Sequence, residues 1–332
     1  MSERDNPTTD APEGDAPASP TDLPGTSWWG AVKRSVGEFR RDNITDWAAA
    51  LTYYGILSIF PAMLVIVSLV GLAGKSVSQS LITNVGQLAP GAVEQVLTNA
   101  ITELQRSHGG AGLIALVSLA AAIWSASGYV AAFMRASNAI YDVGEGRPIY
   151  KTLPIRIGVT LTTLVLLSAC AIAVVVTGPI AERAGRLVGV GHETVTVFGI
   201  VKWPVLLVIA SFLFALLYWA APNAKQRFRW VTPGGILAIV IWLAASAGFA
   251  FYVANFGSYN KTYGSLAALI IFLVWVWMSN VAILLGAELN AELERGRAIA
   301  TGLPPTEEPY VELRDTRALD DPPPEPKGSH GS

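Results

Sequence analysis

Residues 230–260 read WVTPGGILAIVIWLAASAGFAFYVANFGSYN, thirty-one positions without a Lys, Arg, Asp or Glu. At about 1.5 Å of rise per residue, roughly 20 helical residues cross a hydrocarbon layer about 30 Å thick. Lipid offers peptide groups no hydrogen bonds, so such a run is stable there as a helix that satisfies its own backbone. Working outward, further uncharged runs cover 47–74, 109–134, 157–181, 203–224 and 262–287, and all 48 charged side chains fall between or beyond the six. The expected fold is all-α: a polytopic membrane protein with six transmembrane helices, plus short amphipathic interfacial helices. With 52% apolar residues against 14% charged, a soluble globule would lack polar surface. The roughly ten-residue alternating segments of a membrane barrel are absent.

Orientation follows from Lys and Arg in the short flanks, which are held on the cytoplasmic side during insertion. Lys33, Arg34, Arg40, Arg41, Arg135, Arg147, Lys151, Arg156, Lys225, Arg227, Arg229, Arg295 and Arg297 make thirteen on one side. The other side holds six: Lys75, Arg106, Arg183, Arg186, Lys202 and Lys261. Both termini are expected in the cytoplasm. The first apolar run is too long for a signal-peptide core, so it reads as an uncleaved anchor.

Residues 1–26 and roughly 302–332 are rich in Pro, Asp, Glu, Gly and Thr and poor in aliphatics, a composition that does not bury enough apolar surface to order itself. The chain therefore divides into a disordered cytoplasmic tail over 1–27, a six-helix membrane domain over 28–296 and a second disordered tail over 297–332. From Trp28 to Asn43, Trp29, Val32, Val36 and Phe39 recur at helical spacing among Lys33, Arg34, Arg40 and Arg41, the pattern of an interfacial helix on an anionic leaflet. Two short amphipathic helices are expected between Lys75 and His108, separated by Pro90-Gly91. Ala121, Ser125, Gly128 and Ala132, and later Ala244 and Gly248, are spaced for close helix packing.

Catalytic constellations are not found. His108, His192 and His330 are too scattered to make a histidine metal site. Phosphate-loop and nucleophile-elbow motifs are absent, and Cys170 stands alone. The runs hold no ionisable group of the sort that marks a proton path. Glu288 comes nearest, with Arg135 or Arg156 as its expected partner unless it snorkels to the headgroups. The remaining polar inventory is uncharged: Tyr53, Tyr54, Ser58, Ser125, Ser127, Tyr129, Tyr252, Asn255, Ser279 and Asn280. Such groups suit interhelical hydrogen bonds or contact with an amphiphile.

Phe251-Tyr-Val-Ala-Asn255-Phe-Gly257-Ser-Tyr-Asn260-Lys-Thr262-Tyr263-Gly264-Ser265-Leu266, running on to Leu285-Gly286-Ala-Glu288-Leu-Asn290-Ala-Glu292, is distinctive. With Ala50 to Pro61, Ser127-Gly128-Tyr129, Asn138 to Tyr141 and Tyr218 to Asn223, it resembles the YihY/virulence factor BrkB family of bacterial inner-membrane proteins over about residues 30–296. Ala267 departs from the glycine usual in that family. The resemblance implies a six-helix inner-membrane protein linked to envelope integrity and to export of lipids or lipid-linked material. It also implies the family's older label, ribonuclease BN, which suits these residues badly because no acidic or histidine metal set and no RNA-sized basic surface is present. On this basis the chain is expected to be no enzyme and to need no cofactor. Tyr53, Tyr54, Tyr129, Asn255, Asn260, Tyr263 and Asn280 are candidates for substrate contact, and Gly264, Glu288 and Asn290 complete the motif set. The expected partners are the bilayer and a lipid or amphiphile, without nucleic acid; a homo-oligomer stays open, as does a non-catalytic scaffold in place of a transporter.

Overall fold

The computed structural model describes residues 25–72, 111–175, 192–255, 265–304 and 307–320. They form α1 (Gly25–Arg41), α2 (Ile44–Leu72), α3 (Ala111–Ile140), α4 (Ile149–Val175), α5 (His192–Ala220), α6 (Pro233–Asn255) and α7 (Ser265–Ala300). Among the described residues the chain is all-α, with one isolated bridge between Ala224 and Leu313. Segments Ile149–Cys170, Gly199–Ala220, Pro233–Val253 and Leu269–Ala300 are each long and apolar enough to cross a membrane. Four of the six expected spans are found in this way. The other two runs fall largely on α2 and α3, helices of 29 and 30 residues. The expected helices between Lys75 and His108, the motif residues Asn260, Tyr263 and Gly264, and residues 1–24 and 321–332 lie outside the described residues.

Helix α7 is the axis of the bundle and packs on α1, α2, α3 and α6. Its 36 residues give about 54 Å of helix, well beyond a hydrocarbon core of about 30 Å, so its charged C-terminal part reaches past the lipid. Leu51, Phe133, Tyr141, Tyr218 and Leu284 share one buried cluster where α2, α3, α5 and α7 converge. Elsewhere the spans turn large apolar side chains outward: Trp203, Leu207 and Val208 on α5, and Ile236, Val240, Leu243 and Phe251 on α6, are all exposed. Outward apolar faces of this extent match a lipid solvent rather than water.

Helix α1 divides its two apolar stripes as an interfacial helix should. Ala31 and Ser35 are buried, and Ala31 and Trp28 lie against Leu289 and Leu293 of α7. Trp29, Val32 and Val36, one step around the helix, remain exposed, Trp29 by 72%. Asn43, at a φ of 51°, ends the helix in the left-handed conformation that Asn tolerates better than most residues.

Two sequence expectations are corrected. Residues 307–320 do not behave as a disordered tail: they cross the charged end of the bundle as a strap, with Tyr310 and Asp315 buried. A composition poor in aliphatics leaves them little apolar surface, but their hold comes from polar pairing and one aromatic. Tyr310 stacks on Tyr141 with ring centroids 6.4 Å apart, Lys225 N donates to Glu312 O at 2.7 Å and Arg314 N to Asn223 O at 3.0 Å. The small-residue faces also differ from expectation. Ala132 is buried and a Cβ on Gly128 would lie 3.2 Å from Tyr54 Cδ1. Ala121, Ser125, Ala244 and Gly248 are exposed, and a Cβ on Gly248 would meet nothing within 4 Å.

The tightest helix crossing is instead Gly234 of α6 on Gly286 of α7. A Cβ on Gly286 would overlap the Gly234 carbonyl oxygen and come within 2.9 Å of Ala238 Cβ. Backbone cannot yield as a side-chain tip can, so overpacking there costs about 1–3 kcal/mol. Gly286→Ala should accordingly lower the thermal unfolding midpoint in detergent, while Gly248→Ala, gaining up to about 1 kcal/mol of helix propensity, should hold or raise it. Equal effects of the two would show that the crossing is looser than described.

Candidate functional site

Polar side chains inside the spans are few, and three of them bond to one another. The Tyr129 hydroxyl of α3 donates to Asn280 Oδ1 of α7 at 2.9 Å, and Asn280 Nδ2 donates to Thr52 Oγ1 of α2 at 3.1 Å. Thr52 passes its own proton to Ala48 O at 2.7 Å. Three helices are thus tied by one chain of hydrogen bonds with no atom left over.

Toward the charged end the chemistry changes. Arg34 of α1 forms an ion pair through Nε with Glu292 of α7 and adds a bond from Nη2 to Glu292 O at 3.2 Å. Glu292 is also 3.5 Å from Arg295, which reaches Glu308 of the strap at 2.7 Å and lies over the Tyr310 ring at 4.9 Å. Arg147 is fully buried. It donates to Ala220 O at 3.1 Å and Ala221 O at 2.6 Å, closing the carbonyl end of α5, while Glu145 neutralises it at 2.7 Å. Asn223, also fully buried, joins three segments: its N–H donates to Asn138 Oδ1 at 2.8 Å, and its Nδ2 donates to Gly144 O at 3.0 Å and Asp315 O at 2.8 Å. Hydrogen bonds from Arg317 and Lys151 hold the Asp315 carboxyl well below the usual carboxylate range.

Glu288 pairs with neither arginine expected of it. Arg156 donates to Ser127 O at 2.9 Å and lies over the Trp124 ring, and Arg135 lies over Tyr54. The group that acts on Glu288 is Asp42, in the turn between α1 and α2. The two acids meet where Glu288 Oε2 is buried with no hydrogen-bond donor among the described residues. Burial pushes the Asp42 carboxyl up to about 6, with Asp142, Glu38 and Glu292 adding repulsion and the bond from Glu288 opposing it.

Between the end of α5, the start of α6 and the C-terminal part of α7 lies a cavity of about 140 Å³. Lys225, Arg227, Arg229 and Arg297 line it together with a single acid, Glu294, 3.2 Å from Arg297.

The sequence candidates do not converge on one groove. Tyr129 and Asn280 meet inside the bundle. Tyr54 packs beside them against the Gly128 position, edge-on to Tyr53 at 5.4 Å, but Tyr53 itself points outward and is 61% exposed. Asn290 accepts from Gly234 N at 2.9 Å and donates to Thr232 Oγ1 at 3.2 Å, which makes it a helix-start ligand for α6. Asn255 is the last residue of α6. Arg147, Asn223 and Asp315 were not singled out as site residues, although Asn138 to Tyr141 and Tyr218 to Asn223 are family-like motifs. The cavity had a signal in Lys225-Gln-Arg-Phe-Arg-Trp230, cations interleaved with aromatics just beyond a span, which in the sequence served only to set orientation.

A model of the family described as virulence factor BrkB matches residues 35–309, taking in every helix from α2 to α7 and the C-terminal end of α1. The chain belongs to the virulence factor BrkB family. Among its relatives is a Bacillus subtilis (strain 168) protein, YfkH, whose name calls it ribonuclease-like. It is 30% identical over 79% of this chain and 93% of its own length. A UPF0761 membrane protein of Alkalilimnicola ehrlichii is 31% identical over 80% of this chain, which spans only 59% of that relative. Another, from Mannheimia succiniciproducens, is 27% identical over 80% of this chain and 89% of its own length. No solved structure matches. Family membership and the apolar helices together make this a membrane-embedded protein.

The raised Asp42 carboxyl makes stability depend on pH. An acid that binds its proton more tightly when folded stabilises the fold below its unfolded value of 3.8 and loses that contribution as pH rises through about 6. Melting temperature should therefore fall between pH 4 and pH 7. Asp42→Asn, which supplies an amide donor to Glu288 without a charge, should flatten that slope and raise the melting temperature at pH 7. A variant that melts below the wild type at pH 7 would mean that ionised Asp42 is stabilising.

Proposed function

We propose that this protein crosses the bacterial inner membrane six times with both termini in the cytoplasm, catalyses no covalent reaction, and moves an amphiphile, such as an envelope lipid, between leaflets. The closed polar interior carries this reading. Thr52, Tyr129 and Asn280 spend their hydrogen bonds on one another, so a water-soluble solute gains no polar route between α2, α3 and α7. An amphiphile needs none for its tails, which travel along outward apolar faces such as those of α5 and α6, while the charged end meets its head. The thirteen-to-six distribution of basic residues supports a cytoplasmic location for that end.

The ribonuclease-like name of the Bacillus relative offers a different reading. The acids at the charged end work against it, since Glu292, Glu145 and Asp315 are each committed to an arginine or lysine. A membrane scaffold is the closer competitor, favoured by the strap, which displays Glu308 and Glu312 on the charged end. A deletion that tests it must stop at residue 321, because Tyr310 and Asp315 belong to the folded end.

Transport is tested with purified protein in liposomes that carry a trace of head-labelled fluorescent phospholipid, by following access of an impermeant reductant to the inner leaflet. The protein should accelerate that access. Tyr53→Ala should slow it with stability unchanged, whereas Asn280→Ala should cost about 1 kcal/mol of stability through two lost interhelical bonds. Inner-leaflet label that stays protected, together with an envelope defect on deleting residues 321–332, would replace the transporter with the scaffold.

A further inference from the structure

The cavity beside α5, α6 and α7 has a use that neither the family nor the motif residues assign. Its wall is the extended segment Lys225 to Trp230, from which Lys225 and Gln226 line the space together with two arginines, Arg227 and Arg229. Phe228 and Trp230 turn the other way and join Phe212 and Trp219 of α5 in an aromatic cluster, with ring centroids 5.0 Å apart for Phe212 and Trp230 and 5.6 Å for Trp219 and Phe228. Trp230 is 65% exposed. Aromatic rings gathered at the end of an apolar span sit at headgroup level, which puts the cavity at the depth of lipid phosphates.

The charge inside is unbalanced. Lys225 is engaged by Glu312 of the strap and Arg297 by Glu294. Arg227 and Arg229 have no hydrogen bond or ion pair among the described residues, although Glu294 acts on Arg229 through space. Gln226 adds a buried amide nitrogen whose one neighbouring acceptor is the Tyr141 hydroxyl, leaving a proton of the amide for a ligand. Two guanidinium groups and a spare amide donor around about 140 Å³ suit a tetrahedral oxyanion, which takes several donors at once. The volume admits a phosphate with a small substituent and excludes acyl chains.

We propose that this cavity is a binding site for the phosphate headgroup of a membrane amphiphile, held by Arg227 and Arg229 with Gln226 as an added donor. The proposal rests on the membrane reading of the charged end and deepens it by naming the chemistry of the head; it does not require that the lipid be moved.

The test is native mass spectrometry of the full-length protein in detergent, titrated in parallel with phosphatidic acid, phosphatidylcholine and inorganic phosphate. Arg227→Gln/Arg229→Gln should weaken phosphatidic acid binding by about 30-fold, equivalent to about 2 kcal/mol at roughly 1 kcal/mol per cation near the surface. Lys33→Gln/Arg40→Gln, which removes exposed charge from α1, should weaken it far less. The charge-preserving Arg227→Lys/Arg229→Lys pair should restore most of the affinity and exclude misfolding as the cause of the loss. Equal loss in the α1 and cavity variants would overturn the site in favour of general electrostatic attraction. Inorganic phosphate binding as tightly as phosphatidic acid would overturn the lipid assignment in favour of a soluble anion. Lipid movement that persists in the cavity variant, with binding also unchanged, would remove this site and leave the transport proposal standing.

Discussion

Lipid cannot hydrogen-bond, and that constraint arranges everything else in this protein. Charge is excluded from six runs of sequence, so the ion pairs and capping groups must gather beyond the spans, and the structure shows how densely they do so at one end. The few polar side chains retained at depth have to satisfy each other, as Thr52, Asn280 and Tyr129 do. Where two helices approach most closely the side chain is removed altogether, at Gly234 and Gly286, because tight backbone contact replaces the hydrophobic drive that lipid does not supply.

The charged end functions as a small folded unit built from pieces far apart in sequence. Arg147 closes α5, Asn290 opens α6, Arg34 fixes α1 to α7, and Asn223 links the end of α3 to the strap. Most of the buried polar groups there have partners, so the network rigidifies the end. Two departures stand out against that order. Asp42 and Glu288 bring two acids together where the sequence offers an arginine or the headgroups, and Arg227 and Arg229 face a cavity without an ion-pair partner among the described residues. Unbalanced charge within an end otherwise dense in ion pairs makes these two places natural seats of ligand or proton chemistry.

Much of this was legible in the sequence, for a physical reason. Exclusion of charge from lipid is a one-dimensional signal, so the existence of helices α4, α5, α6 and α7 could be read directly. The amphipathic α1 was equally plain, since its Trp29, Val32 and Val36 stripe is the face left exposed. What failed depends on tertiary pairing. Composition marked 307–320 as disordered, but those residues order through Tyr310 on Tyr141 and Arg314 on Asn223, contacts that no local pattern encodes. The partner of Glu288 was sought among cations by sign alone, whereas the turn at Asn43 brings Asp42 to it. Asn290 was legible only as a motif residue, because its role as a helix-start partner for Gly234 lies 56 residues away in sequence.

The central claim is that the strap and the cationic cavity lie in the cytoplasm, with an odd number of spans between them and the loop before α3. It is tested most directly by labelling single cysteines with a membrane-impermeant maleimide, in a Cys170→Ser background that removes the one native thiol. Ser107→Cys should label in cells whose inner membrane is intact, and Glu312→Cys only after that membrane is permeabilised. Labelling of both from the same side, or the reverse order, would contradict the six-span topology and the cytoplasmic placement of the charged end.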